Sequence, residues 1–152
     1  MNTPLRCAVD ASAAIKLFVP EPCSQDAVAL FAHLGDPDAH FCAPSLLYAE
    51  CANILWKYRR RFGLDAREAS RSLAALTVLP IDCVEIKQII SEAHEIAMDC
   101  DISAYDACYA ATARQRGVPL ITADARLAEK LEGKKPEVLL LGRFAIPPVP
   151  SV

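Results

Sequence analysis

The sequence predicts an α/β protein whose mostly parallel central sheet lies between two layers of helices. Short apolar runs alternate along the chain with longer segments of helical periodicity. The apolar runs lack polar alternation, which is typical of strands covered on both faces. Strands that alternate with helices imply right-handed crossovers, and therefore a three-layer α/β/α sandwich. A chain of 152 residues with 53% hydrophobic content is large enough for one such core.

The strands are predicted in chain order from the apolar runs, at residues 5–10, 40–44, 77–82, 119–124 and 137–142. Helices are predicted between them, at residues 24–34, 45–61, 65–76, 85–98, 104–116 and 125–131. In the first helix, Val28, Phe31 and Leu34 should share one face, with Gly35 as the stop signal. Residues 1–143 are expected to form the folded domain, and the proline-rich residues 144–152 an extended C-terminal tail.

The apolar stretches, the first ten residues and the cysteine spacing favour a reducing compartment. No apolar stretch is long enough to cross a membrane, and residues 1–10 lack the apolar region of a signal peptide, so a cytoplasmic location is expected. The seven cysteines are irregularly spaced without a zinc-type pattern, which favours buried free thiols. The net charge of −3 gives no bulk sign of a nucleic-acid binder, although local charge matters more than the sum.

Three aspartates stand at the starts of predicted helices. Asp10 ends the first strand, and Asp124 follows the run "PLIT". Asp106 lies three residues after Ser103, a spacing that resembles a capping box. Each of them has an ordinary structural explanation as a residue that caps or opens a helix.

Glu50 resists such an explanation because it interrupts the apolar run "LLYAECANILW". On a helix, Leu46, Leu47 and Ile54 share its face. A buried carboxylate without a partner is costly, so either a salt bridge to an arginine or a metal ion is expected.

Taken together, the four acids suggest a metal site. Asp10 and Asp124 fall at the carboxyl ends of strands, where sites of parallel sheets lie. Crowded carboxylates repel one another; helix N-termini offset part of this repulsion and a divalent cation offsets more. Ligands that are all oxygen suit Mg²⁺ or Mn²⁺ rather than Zn²⁺.

Motifs of several other enzyme classes are missing from the sequence. It contains no phosphate-binding glycine loop and no nucleophile elbow. His33, His40 and His94 are absent from the acidic motifs and are interpreted as core or surface residues. A carboxylate-held Mg²⁺ can generate the nucleophile from water and neutralise a phosphoryl oxygen, which suits phosphodiester hydrolysis.

The acidic motifs resemble those of PIN-domain nucleases, and most closely the VapC-type toxins of VapBC toxin–antitoxin pairs. The resemblance is carried by "VDASAAIKLF", Glu50 in its apolar helix, "ISAYDACYAATARQRGVPLITADARL" and the strand "VLLL". It implies an Mg²⁺- or Mn²⁺-dependent endoribonuclease that forms a homodimer and binds a cognate antitoxin. The implied catalytic and metal-binding residues are Asp10, Glu50, Asp106 and Asp124, with polar support from Ser12 in D-x-S and Thr122 in T-A-D.

A basic segment, "WKYRRRFG", ends the helix that carries Glu50. Arg59, Arg60 and Arg61 are interpreted either as a solvated helix end or as a rim that contacts RNA phosphates. Trp56, which opens this segment, is assigned to the core rather than to a binding surface.

The sequence leaves two other functions open. Asp10 could be the nucleophile of an aspartyl-phosphate phosphatase or a receiver domain, although Ser12 replaces the second aspartate of the D-x-D motif and no paired acids precede Asp10. The domain could instead be a non-catalytic binding module that keeps the acids for stability.

Overall fold

The computed structural model describes residues 3–151 and contains a five-stranded parallel sheet. The strands are β1 (Arg6–Val9), β2 (His40–Pro44), β3 (Ile81–Val84), β4 (Leu120–Thr122) and β5 (Val138–Leu140). Their order is β3-β2-β1-β4-β5, and neighbouring strands run parallel. The predicted α/β class with a parallel central sheet is therefore confirmed.

The helices connect these strands. They are α1 (Ala11–Ala14), α2 (Ser24–Phe31), α3 (Leu46–Phe62), α4 (Ala66–Val78), α5 (Ile86–Cys100), α6 (Ala104–Arg116) and α7 (Ala125–Lys130). Short 3-10 helices follow α1 and α2, at Ile15–Leu17 and Ala32–Gly35. By the right-handed crossover rule, this strand order puts α1–α4 on one face of the sheet and α5–α7 on the other.

The chain changes its direction across the sheet at β1. From β1 the connections lead outward through β2 to β3, and the chain then returns to form β4 on the other side of β1. The carboxyl ends of β1 and β4 are thus adjacent at a topological switch point, the usual place for a site in this class of fold. Residues 7–9 of β1 are fully buried, so the switch point lies over the centre of the core.

Two predicted elements differ from the structure. The third strand is Ile81–Val84 rather than 77–82, because α4 extends to Val78 and Pro80 lacks the N–H that would continue it. In α2 the buried face consists of Ala27, Leu30 and Phe31, and Val28 is exposed although it was predicted to share a face with Phe31.

The C-terminal residues return to the body of the protein. Residues 145–150 contain no helix or strand, yet Phe144 and Ile146 pack against the core. The Nε2 atom of buried His33 donates to the carbonyl of Pro147 over 2.8 Å. All seven cysteines are free, as expected, although Cys83 is exposed. Among residues 3–151, no helix has both the length and the apolar character needed to span a bilayer.

Candidate functional site

Asp10 forms the buried centre of the candidate site. It follows β1, caps α1 and is only 5% exposed. Its Oδ1 atom accepts hydrogen bonds from the Ser12 hydroxyl at 2.6 Å and from the Ala13 amide at 3.0 Å, and its Oδ2 atom accepts one from the Thr122 hydroxyl. Burial raises the pKa of Asp10 to about 6, against the lowering effect of these hydrogen bonds, and the charge of Asp106 adds to the rise.

Ser12 and Thr122 join the ends of β1 and β4 into one polar network. Their hydroxyl oxygens lie 3.2 Å apart. The Ala123 amide donates to Ser12 Oγ at 2.9 Å, and the Asp124 amide donates to Thr122 Oγ1 at 3.0 Å. The two residues predicted as polar support are 110 positions apart in the sequence, and together they hold Asp10 and the chain around Asp124 in place.

Asp124 opens α7 on the exposed side of the site. Its Oδ1 atom accepts hydrogen bonds from the amides of Arg126 at 3.0 Å and Leu127 at 3.2 Å, as expected for a helix cap. The side chain is solvent-accessible. Asp124 thus contributes negative charge at the mouth of the site rather than in its buried interior.

Asp106 couples the other three carboxylates electrostatically. It lies in the first turn of α6, where its amide donates to the cap residue Ser103 at 3.0 Å. Burial raises the pKa of Asp106, and the charge of Asp124 raises it further. Because the charge of Asp106 also raises the pKa of Asp10 and of Glu50, these four side chains share one electrostatic environment. We call them the acidic quartet.

Glu50 has a partner that sequence reasoning did not find. The Tyr109 hydroxyl donates to Glu50 Oε1 at 2.6 Å, whereas an arginine or a metal ion was expected to meet this carboxylate. Burial is the main cause of the raised pKa of Glu50, the tyrosine lowers it and Asp106 raises it. Tyr109 is almost fully buried, and it lies three residues after Asp106 on α6. This spacing was the sequence signal for Tyr109, since residues three apart share a helix face and Tyr109 therefore lies on the same side of α6 as Asp106.

The acidic quartet has the donor chemistry of a site for a hard cation. All its ligand atoms are carboxylate oxygens, which suit Mg²⁺ or Mn²⁺. Within residues 3–151, no group of three or more histidine, cysteine, aspartate or glutamate side chains forms a ready-made metal cage. Mg²⁺ commonly binds through one or two carboxylates and keeps several waters, so the quartet fits this ion better than one that needs a closed cage.

The basic segment on α3 is exposed, and its residues differ in their contacts. Arg59 Nη1 donates to the carbonyl of Leu64 at 3.0 Å and so helps to end the helix, whereas Arg60 Cζ lies 5.1 Å from the centre of the Trp56 ring. Trp56 is 52% exposed, so its assignment to the core is wrong.

Comparison with known proteins places this architecture in a family. The family model described as "PIN domain" matches residues 7–132. Ribonuclease VapC3 of Pyrobaculum aerophilum is 34% identical over 128 residues, which cover 83% of this chain and 95% of the relative.

Solved structures agree on the fold. The crystal structure of PAE2754 from Pyrobaculum aerophilum superposes with a TM-score of 0.63 at 27% identity and covers 87% of this chain and 89% of its own. A toxin–antitoxin complex from Klebsiella pneumoniae contains a chain with a TM-score of 0.61 at 20% identity, covering 88% of this chain and 95% of that one. With the family model matching most of its length and the fold and acidic switch point described above, this chain belongs to the PIN domain family.

Proposed function

We propose that this protein is a ribonuclease that hydrolyses RNA phosphodiester bonds internally, with Mg²⁺ or Mn²⁺ bound at the acidic quartet. The observation that carries the proposal is the electrostatic coupling of four carboxylates from four different elements around the β1–β4 switch point. The identity of 34% to a protein named a ribonuclease, over most of both chains, supports the same activity.

Each acidic side chain has its own part in the proposed reaction. Asp10 and Asp106 would hold the cation, with Asp124 and Glu50 completing the site directly or through waters. A divalent cation in such a site supplies a Lewis acid that lowers the pKa of water and neutralises charge on the phosphoryl group. Ser12 and Thr122 orient Asp10 by hydrogen bonds to both of its oxygens.

Glu50 is suited to orient or deprotonate the attacking water. Its raised pKa makes it a stronger base than an exposed glutamate, and Tyr109 fixes one of its oxygens. Hydrogen bonds to both of its oxygens hold the Asp10 carboxylate in one orientation, which suits a metal ligand. We propose water rather than Asp10 as the nucleophile.

The test of the proposed activity uses the purified protein with circular RNA and with end-labelled linear RNA of the same sequence. We expect both RNAs to be cut with Mg²⁺ or Mn²⁺ and neither with a chelator. Cleavage of the circular RNA identifies internal cutting, because it has no end at which an exonuclease can start. Asp106→Asn keeps the shape of the side chain and removes its charge, so cleavage should fall about 100-fold or more. Full activity in this variant, or intact RNA with every metal, would contradict the proposal.

We further propose that the protein is the toxin of a toxin–antitoxin pair, acts in the cytoplasm and forms a homodimer. The Klebsiella pneumoniae structure with the same fold is described as a toxin–antitoxin complex. Expression of this chain should arrest growth, and co-expression of its neighbouring reading frame should restore growth and yield a complex on purification. Growth arrest that persists in Asp106→Asn would count against a nuclease toxin.

A further inference from the structure

Trp56 forms an exposed aromatic site on the helix that carries Glu50. It is the only tryptophan of the chain, and 52% of it is accessible to solvent. Arg60 lies over its ring, with Cζ 5.1 Å from the ring centre. The two side chains, together with Lys57 and Arg61, line a cavity of about 290 Å³. We call these four residues the α3 cavity. The cation over the ring and the cavity beside it together offer a flat aromatic face and positive charge to a ligand.

Helix geometry relates this cavity to the acidic quartet. At ~100° per residue, Lys57 and Arg61 point within about 20° of the direction of Glu50, while Trp56 and Arg60 lie ~80–120° to one side. The rise of 1.5 Å per residue puts Lys57 roughly 10 Å beyond Glu50 along the axis. Arg59 points about 180° away from Glu50, which agrees with its bond to Leu64.

We propose that the α3 cavity binds a nucleobase of single-stranded RNA, stacked on Trp56, next to the phosphodiester bond at the acidic quartet. This inference rests on the proposed nuclease function and names the site that holds its substrate. Lys57 and Arg61, which point in the direction of Glu50, contact phosphates that flank the stacked base. Arg60 holds the indole ring and adds its own planar cation to the stack.

The charges around the ring favour a nucleic acid over a protein partner. Negative carboxylates at the site repel the RNA backbone, so nearby cations are needed to hold the strand. The ring is bordered by Lys57, Arg60 and Arg61, whose complement is a polyanion that also offers flat apolar faces. A single-stranded RNA has both properties, because its phosphates are negative and its unstacked bases expose their π-faces.

Under this proposal Arg59 does not contact RNA. It sits beside Arg60 in the sequence, but its guanidinium is bonded to a carbonyl and the helix turns it away from the quartet. Arg59→Gln is consequently the matched charge control for Arg60→Gln. Phe62→Ala is the matched aromatic control for Trp56→Ala, since Phe62 is 73% exposed on the same helix and does not line the cavity.

Fluorescence tests the stacking directly, because Trp56 is the only indole in the protein. With a chelator present to prevent cleavage, a short single-stranded RNA should quench this fluorescence. An abasic oligomer with the same number of phosphates should bind weakly and quench little. Equal quenching by both oligomers, or none by either, would overturn the proposal.

Cleavage kinetics supply the second readout. We expect Trp56→Ala to raise KM about tenfold with kcat nearly unchanged, and Trp56→Phe to restore most of the loss because it keeps an aromatic face. Arg60→Gln should raise KM, whereas Arg59→Gln and Phe62→Ala should leave KM unchanged. Melting temperatures of all variants identify any change that comes from unfolding.

The outcomes separate this inference from the nuclease proposal. If wild-type protein cuts RNA while Trp56→Ala has a normal KM, the inference is wrong and the nuclease function stands. If wild-type protein cuts no RNA, the nuclease proposal fails first. If Trp56→Ala instead changes the sedimentation of the protein and leaves KM unchanged, the α3 cavity belongs to a protein interface and the inference is overturned.

Discussion

Asp10 has a structural role and a candidate functional role at the same time. Its Oδ1 atom caps α1, as its position after a strand predicts, and its burial beside Asp106 makes it part of the acidic quartet. Because the capping bonds fix the carboxylate, the same contacts that start the helix orient the proposed metal ligand. The structural and functional explanations of the residue are therefore compatible rather than competing.

The raised pKa of Asp10 predicts how stability depends on pH. In the folded protein the carboxyl has a pKa of about 6, against 3.8 in the unfolded chain. Between these values the folded state holds a proton that the unfolded state releases, so this group stabilises the fold below about pH 4. That contribution is lost as pH rises to 6, and it amounts to about 3 kcal/mol.

Urea unfolding in the presence of a chelator measures this effect. The free energy of unfolding of wild type minus that of Asp10→Asn should fall by roughly 2–2.5 kcal/mol between pH 4 and pH 7, most of the full effect. This difference cancels the contributions of other titrating groups to the pH dependence of stability. Asp82 is one of them: Arg116 lowers its pKa, so its contribution has the opposite sign to that of Asp10. A difference that stays constant across the range would contradict the burial of the charge.

Tyr109 should matter for turnover more than for stability. Tyr109→Phe removes only the hydroxyl that donates to Glu50, so we expect kcat to fall about 10- to 100-fold. The lost hydrogen bond should cost only about 1 kcal/mol of stability. Thr112→Val is a suitable control, because it removes a buried hydroxyl of the same helix that bonds only to the carbonyl of Cys108. A normal kcat in Tyr109→Phe would show that Glu50 needs no such support.

The acids were visible in the sequence, but the partner of Glu50 was not. Asp10, Asp106 and Asp124 stand at helix starts, where local rules for capping apply. Glu50 and Tyr109 are 59 residues apart on two helices, and their contact depends on how α3 and α6 pack around the sheet. Such a pairing is set by tertiary structure: the local spacing shows only that Tyr109 shares a helix face with Asp106, not that Glu50 meets it.

At the level of elements, helices with signals at both ends were predicted best. The bounds of α6 agree with the prediction of 104–116, since Ser103 caps its start and Gly117 ends it at a φ of +63°. The third strand was misplaced because "TVLP" has strand-like composition, but Thr77 and Val78 form the last residues of α4.

The cap of α6 is predicted to stabilise the element that carries Asp106. Ser103→Ala removes the acceptor of the Asp106 amide and should cost about 1 kcal/mol, or roughly 2–4 °C in melting temperature. Ser103→Thr keeps a hydroxyl and should lose much less. Equal melting temperatures for the alanine and threonine variants would show that the cap contributes nothing.

At the level of the whole molecule, the strand order could not be predicted from sequence patterns. Apolar runs predicted the strands and their parallel direction, whereas the order β3-β2-β1-β4-β5 depends on pairing between distant segments. β1 pairs with β2 and with β4, and the second of these partners lies more than 100 residues away. Topological rules restrict such orders without selecting one.

A second long-range contact yields a stability prediction. Gly142 has a φ of +90°, and a Cβ placed there would lie 2.6 Å from Cys23 Sγ, 119 residues earlier. We expect Gly142→Ala to cost about 2–3 kcal/mol, from backbone strain and from the displaced sulfur. Gly117→Ala has similar backbone strain with open space around its Cβ, so it should cost only about 1 kcal/mol.

A double-mutant cycle isolates the contribution of the sulfur. Adding Cys23→Ala to Gly142→Ala should recover the excess cost over Gly117→Ala, because the clashing atom is gone. Urea denaturation of the single and double variants provides the free energies. Strictly additive effects would mean that residues 23 and 142 do not touch in solution.

The position of β4 in the chain has a consequence during synthesis on the ribosome. A growing polypeptide that ends before Thr122 already contains Asp10, Glu50 and Asp106, but it lacks the hydroxyl that holds Asp10 and the strand that supports it. Its acidic centre is completed only when the residues up to Asp124 have been made and can fold back onto the first strand. If the protein cuts RNA, the template from which it is translated is therefore spared until β4 has left the ribosome.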